Sequence, residues 1–115
     1  MTEPSRVVIN QVILLGRLCH SPNLYHAEGK RMKAAFQIAV PRQLVRSRSK
    51  AFADWHIARA DYITVVLFGR PAHNLFALHL PRGTWLNIQG HLRTRSRDEW
   101  EVVADSVNQA QVDKL

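Results

Sequence analysis

The sequence predicts an all-β fold, a five-stranded barrel with one short helix between the third and fourth strands. Three observations predict it: short apolar runs rich in Val, Ile and Leu, alternation of apolar and polar residues within most of them, and polar segments with Gly or Pro between them. The 115 residues suffice for one domain with its own core. We place this domain at residues 9–107, between an N-terminal extension, 1–8, and a short C-terminal end, 108–115.

The first two strands are expected to form a hairpin. Residues 10–18, NQVILLGRL, are an apolar run interrupted by Gly16, and a glycine inside a strand often marks a bulge or bend. Residues 32–40 alternate, which is typical of a half-buried strand. The inward face of this second strand carries Ala34, Phe36, Ile38 and Val40. The polar EGK at 28–30 supplies a turn between the two strands.

The second half of the chain predicts a strand, a helix and two more strands. Residues 61–69 are the third strand, and residues 70–80 form a helix, because Pro71 suits a first turn and apolar residues recur at spacings of three and four. Residues 84–94 alternate again, with Leu86, Ile88 and Leu92 inside, and residues 100–107 are the last strand. Five strands with a helix after the third are the pattern of an OB-fold.

Residues 41–60 lack periodicity and are predicted to form a long basic loop. Its cations are Arg42, Arg46, Arg48, Lys50 and Arg59, against the single acid Asp54. A connection of about twenty residues inside a compact domain is usually functional or disordered. We therefore expect this loop to take part in binding.

The charge balance favours a polyanionic partner. The net charge is +7 and the isoelectric point is near 10.5, and most of the basic residues are arginine, which pairs with phosphate and stacks on bases. A basic surface without such a partner is the alternative. The single cysteine, Cys19, excludes an internal disulfide and a cysteine-based metal cluster, and fits a reducing compartment. No apolar run is long enough to cross a membrane, and Met1 to Ser5 does not open a signal peptide.

Aromatic residues fall on the predicted outer face of the barrel. If Ile63, Val65 and Leu67 point inward, alternation places Tyr62, Thr64, Val66 and Phe68 outside. The two rings suit stacked bases, and Val66 suits contact with a second copy of the chain. The alternative is that the rings only cover the barrel end or a loop.

Three tryptophans lie in or beside arginine-rich segments. Trp55 is in the predicted loop, Trp85 is on the outer face of the fourth strand, and Trp100 opens the fifth. Cations that follow a backbone beside rings that stack on bases are typical of proteins that bind single strands. For Trp85 a core or subunit contact is equally open.

Catalytic and metal sites are not indicated. The six histidines share no metal-ligand spacing, and no carboxylate cluster accompanies them. Cys19 and His20 are adjacent in a strand and point to opposite faces, so they do not form a dyad. We expect no enzyme activity and no cofactor.

Several motifs in combination resemble a known family. NQVILLGRL followed by SPN, a strand ending in IAV, VVLFGR before the helix, and PRGTWLNIQGHLRTR are similar to the bacterial single-stranded DNA-binding protein family over residues 9–107. The resemblance implies an OB-fold that assembles as a homotetramer and wraps single-stranded DNA without sequence preference. The base-stacking positions of the family correspond to Tyr62, which is usually Trp, and to Phe68. Arg93 and Arg95 match basic positions of the family.

The chain departs from the family pattern in three places. The family's aromatic after the second strand is absent, since Leu44 stands there, and we expect Trp55 to replace it; the aromatic after LRTR arrives late, as Trp100. Typical members continue into a Gly- and Pro-rich tail whose acidic tip recruits replication and repair enzymes, whereas this sequence ends at Leu115 without one. It thus resembles either a specialised or mobile-element paralogue or the tailless, dimeric primosomal relative.

The leading hypothesis is a non-enzymatic single-stranded DNA-binding protein of replication, recombination or repair. The expected stacking residues are Tyr62, Phe68, Trp55, Trp85 and Trp100. The expected phosphate contacts are Arg42, Arg46, Arg48, Lys50, Arg93, Arg95 and Arg97. We expect a homo-oligomer, a tetramer rather than a dimer, that is cytoplasmic and nucleoid-associated. The alternative is a primosome-like adaptor or assembly subunit whose aromatic face docks a replication or recombination protein.

Overall fold

The computed structural model describes residues 8–26, 31–46 and 55–111, and their side chains except at 43–46 and 55–58. Its elements, in chain order, are β1 Val12–Leu18, β2 Asn23–His26, β3 Met32–Arg46, β4 Trp55–Phe68, α1 Arg70–Ala77, β5 Trp85–Ser96 and β6 Glu99–Gln109. Among these described residues, no helix is long and apolar enough to span a membrane.

Five of the strands close into a ring. The sheet runs β1-β5-β6-β4-β3, and a further antiparallel pairing of β1 with β3 completes the circuit. All neighbours in the ring are antiparallel except β4 and β6, which are parallel. The predicted barrel with a helix after its third strand is therefore confirmed, and the architecture is that of an OB-fold. β2 is an additional short strand that the sequence pattern did not predict, and it pairs antiparallel with the start of β3. The two strands expected to form a hairpin, β1 and β3, pair only at Arg17 and Leu18.

Gly16, where a bulge or bend is predicted, immediately precedes the residues of β1 that pair with β3. β1 pairs with β5 over most of its length and reaches β3 only at Arg17 and Leu18. A Cβ on Gly16 would lie 3.0 Å from the backbone oxygen of Ala39, so glycine lets the two backbones approach closely. This approach closes the ring.

The core is built from the predicted inward faces. Phe36, Ile38, Val65, Leu86 and Ile88 are fully buried, as strict alternation on β3, β4 and β5 requires. Helix α1 adds Ala72 and Leu75 to the same cluster. The helix ends at Ala77, before the predicted Leu80, and its amphipathic spacing matches the prediction up to that point.

The prediction of a loop at residues 41–60 is largely wrong, because β3 and β4 both continue into this segment. β3 runs to Arg46 and β4 begins at Trp55, and the two pair as an arm with register shifts near Pro41, while residues 47–54 lie outside the described part of the chain. Where the side chains of this arm are described, at 41–42 and 59–60, they are not buried. Apolar alternation reports burial on one face rather than strand pairing itself, so a polar arm gives no periodic signal.

Two side chains differ from their predicted environments. Val66 points away from the core cluster, yet it is only 1% exposed, since it lies between Ala35 and Val103 of the neighbouring strands. The contact of Val66 with a second copy is therefore not supported. Leu92 has the predicted inward parity, but it does not belong to the buried core cluster, and it is exposed.

Candidate nucleic-acid interface

The first row of candidate binding residues crosses the outer face of β2, β3 and β4. Tyr25 lies opposite Lys33, and Lys33 lies opposite Phe68. Directly paired residues project from the same face of a sheet, so these three side chains are neighbours. We call Tyr25, Lys33 and Phe68 the first row.

Cations surround the ring of Phe68. The guanidinium carbon of Arg93 lies 5.1 Å from the ring centroid, that of Arg31 lies 5.2 Å away, and the Lys33 Nζ lies 5.8 Å away. Lys33 Nζ is also 5.5 Å from the centroid of Tyr25. These distances lie within the range of cation–π attraction. The first row is thus a positively charged aromatic cleft, completed by Thr94 and Arg95 of β5.

A second row of residues crosses the same outer face of the sheet, farther along the strands from the first row. Trp85 pairs with Arg17, Arg17 pairs with Ala39, and Ala39 pairs with Tyr62. The guanidinium of Arg17 lies over Trp85, 5.6 Å from the ring centroid, and Tyr62 is 66% exposed. We call Trp85, Arg17 and Tyr62 the second row. Arg82 joins Arg17 and Tyr62 in lining the cleft beside it.

The two rows lie on one continuous surface. Phe68 and Tyr62 are six positions apart on β4, which at roughly 3.3 Å per residue separates their Cα atoms by about 20 Å. Between them, Ala35 faces Val66 and Gln37 faces Thr64, which are small or uncharged side chains. The face therefore carries an aromatic and cationic cluster at each end and a neutral middle.

Cys19 lies at the edge of the second row. Burial raises the pKa of its thiol, and Arg82 opposes this rise only in part. The thiol therefore stays protonated at neutral pH, which is the state of an unreactive cysteine. Among the described residues, no three His, Cys, Asp or Glu side chains are grouped so as to hold a metal ion.

Two of the predicted phosphate contacts are engaged in ion pairs. Arg93 Nη2 donates a hydrogen bond to Glu101 Oε1 at 2.9 Å. Arg42 donates through Nε at 2.9 Å and through Nη2 at 2.6 Å to Oδ1 of Asp61. Hydrogen bonding from Arg42 is the main reason that the pKa of Asp61 lies below its usual value. Arg95 and Arg97 are exposed at the end of β5 and in the following turn.

The structure gathers some of the predicted stacking residues and separates others. Tyr62, Phe68 and Trp85 share the outer face, in the two rows defined above. Trp100 is exposed but lies in a different cleft, which it shares with Tyr62, Val12, Leu14 and Leu92. The backbones of Arg46 and Trp55 pair in the β3–β4 arm, and their side chains, like Arg48 and Lys50, lie outside what the structure describes.

Sequence reasoning missed several residues of the interface. They are Tyr25 and Lys33 of the first row, Arg31 beside it, and Arg17 and Arg82 of the second row. The outward parity of Lys33 on the second strand was one available signal. Tyr25 becomes visible only when the pairing register of β2 with β3 is known.

Two curated proteins similar in sequence to this chain are single-stranded DNA-binding proteins. A curated single-stranded DNA-binding protein of Oceanobacillus iheyensis is 32% identical over 108 residues, covering 87% of this chain and 62% of that protein. Another, of Lactiplantibacillus plantarum, is 31% identical over 108 residues, covering 94% of this chain and 50% of that protein. The chain thus spans half or somewhat more of the length of these relatives.

A solved structure shares the fold. The small single-stranded DNA-binding protein of Streptomyces coelicolor superposes with a TM-score of 0.67 at 19% identity, covering 90% of this chain and 96% of that one. The sequence model of the single-strand binding protein family matches residues 9–115, almost the whole chain. Together with the resemblance seen in its motifs, this match means that the chain belongs to the single-strand binding protein family.

Proposed function

We propose that this protein binds single-stranded DNA without sequence preference, through the outer face of the sheet that carries the two rows. The observation that carries the proposal is the alignment of aromatic rings with cations in both rows, Tyr25, Lys33 and Phe68 in one and Trp85, Arg17 and Tyr62 in the other. Rings accept any base by stacking, while cations follow the backbone.

Stacking is assigned first to Phe68 and Tyr62, since they lie at the two ends of the face. Each stacked base contributes about 1–3 kcal/mol of binding free energy in comparable interfaces. Tyr25 and Trp85 are proposed as further stacking residues beside them. Trp55 and Trp100 are proposed for the flanks, because neither belongs to the two rows.

Phosphate contacts are assigned to the cations around the face. Arg95 lines the cleft of the first row, and Arg97 is exposed in the turn that follows β5. Arg42, Arg46, Arg48 and Lys50 belong to the β3–β4 arm or the segment that follows it, and are proposed to extend the basic path. Arg93 is paired with Glu101, so its role is treated separately below.

The biological setting is proposed from family membership. We assign the protein to DNA replication, recombination or repair, as a cytoplasmic, nucleoid-associated homo-oligomer without enzyme activity, a tetramer rather than a dimer. The chain matches only part of the length of its curated relatives, so partners that act through other segments of those relatives are not transferred.

An adaptor role is the second candidate. The cleft of Trp100 is largely apolar, lined by Val12, Leu14, Leu92 and Val102 among others, and Trp100 itself is 60% exposed. Such a surface suits a protein partner of replication or recombination. An adaptor requires a protein contact at an aromatic face and no affinity for oligonucleotides.

The proposal is tested by titrating oligo(dT) against the tryptophan fluorescence of the protein at several salt concentrations. Stacking beside Trp85 predicts quenching, and the logarithm of affinity should fall with the logarithm of salt concentration at a slope of about −0.7 per neutralised phosphate. A duplex of equal length is the control. Absence of quenching, or equal affinity for the duplex, would contradict the proposal.

A further inference from the structure

Glu101 is an unusual residue in the cleft of the first row. It is only 3% exposed on β6 and is the one buried charged side chain among the described residues. Its Oε1 accepts the hydrogen bond from Arg93 at 2.9 Å. Its Oε2 is also buried and has no hydrogen-bond partner within the described part of the chain. The carboxylate is therefore desolvated and only half satisfied.

This arrangement is a poor source of stability. A buried carboxylate loses its hydration, and the attraction of one partner repays that cost only when the remaining lone pairs are also satisfied. Arg93 retains 45% of its side-chain exposure, so it would be solvated without Glu101. Folding alone therefore gives no reason for a charge at position 101.

The pair instead fixes where Arg93 lies. Arg93 and Glu101 are directly opposite on β5 and β6, and the paired guanidinium lies 5.1 Å from the centroid of Phe68. A free arginine samples many rotamers, and holding one conformation before binding lowers the entropy lost on binding. The negative charge of Glu101 also compensates the positive charge of Arg93. Arg93 is therefore a weak partner for phosphate.

We infer that Glu101 is a positioning residue, which holds Arg93 against Phe68 so that the ring is oriented in advance to receive a base. The inference rests on the proposed function and assigns Arg93 a role different from the phosphate contact expected from the sequence. Arg93 and Glu101 form a support for the aromatic ring, while Arg95 and Arg97 are left to neutralise the backbone.

The test measures oligo(dT) affinity of Glu101→Met and Glu101→Gln across a salt series. Glu101→Met removes the acceptor and should weaken binding about three- to tenfold, part of the value of one stacked base, with an unchanged salt slope. Glu101→Gln keeps an acceptor oxygen and should lose less. The melting temperature of each variant should stay equal or rise, because a desolvated charge is removed. Glu99→Gln, an exposed residue of the same strand with the same charge change, should not weaken binding.

A double-variant cycle with Phe68→Ala separates positioning from a general effect. If Glu101 acts through the ring, Glu101→Met should cause no further loss in the Phe68→Ala protein. An equal loss in both backgrounds would overturn the inference. So would tighter binding with a steeper salt slope in Glu101→Met, because the freed Arg93 would then contact phosphate. If the unsubstituted protein does not bind oligo(dT), the proposed function itself fails.

Discussion

Arg42 illustrates how single residues modulate the charge of the interface. It lies at the start of the β3–β4 arm, beyond the second row, and makes two hydrogen bonds to Asp61, with both side chains largely exposed. Because the folded pKa of Asp61 is lowered, the pair stabilises the fold above the unfolded pKa of Asp61. This contribution is lost as the pH falls through the lower folded pKa. An exposed pair of this kind adds little to stability, so its effect on binding matters more.

We predict that Asp61→Asn strengthens binding of oligo(dT). The substitution frees Arg42 for a phosphate, so the salt slope should steepen by about 0.7. Asp105→Asn is the matched control, since it makes the same charge change on β6 beside His91. Equilibrium titrations at several salt concentrations measure both slopes. The assignment of Arg42 is contradicted if the two variants change affinity and slope equally.

The extent to which the sequence predicts the site differs between residues. Tyr62 and Phe68 follow from parity on one apolar strand, and their outward positions are confirmed. Tyr25 and Arg17 were missed because their place in a row depends on pairing with distant strands, and a one-residue change in register would put them on the other face. Local alternation thus locates a residue on a face, but register decides its neighbours.

At the scale of elements, burial determined which strands could be predicted. β5 shows clean alternation because one side of it covers the core, and its prediction is confirmed over nearly its full length. The β3–β4 arm was predicted as a loop because pairing outside the core leaves no apolar period. The strongly basic composition of that arm identified it as a candidate for binding even though its backbone conformation was misjudged.

The contact of β5 with β6 depends on Gly90. A Cβ there would lie 2.0 Å from the backbone oxygen of Val103, at the position where the register shifts. Gly90→Ala therefore requires a backbone movement, and we predict a loss of about 1–3 kcal/mol in the free energy of unfolding. Chemical denaturation measures this loss, with Asn87→Ala, an exposed position on the same strand, as the control. Equal stability of Gly90→Ala and the unsubstituted protein would contradict the described close approach.

At the scale of the whole molecule, ring closure places both rows on one side. β1 contacts β3 and β5, so Arg17 joins Trp85 and Tyr62, which come from distant parts of the chain. The excess of basic residues, with a net charge of +7, supplies a long-range attraction for a polyanion. The fold class was predictable from the sequence pattern, whereas the assembly of the two rows required the closed topology.

The central claim is that the outer face binds single strands by stacking on Phe68. The most direct measurement compares the oligo(dT) affinity of Phe68→Ala with that of Phe76→Ala, an exposed phenylalanine on α1 that lies outside both rows. Loss of one stacked base predicts that Phe68→Ala binds about 5- to 150-fold more weakly, while Phe76→Ala binds like the unsubstituted protein. Unchanged affinity of Phe68→Ala would contradict the account and favour an adaptor role for this face.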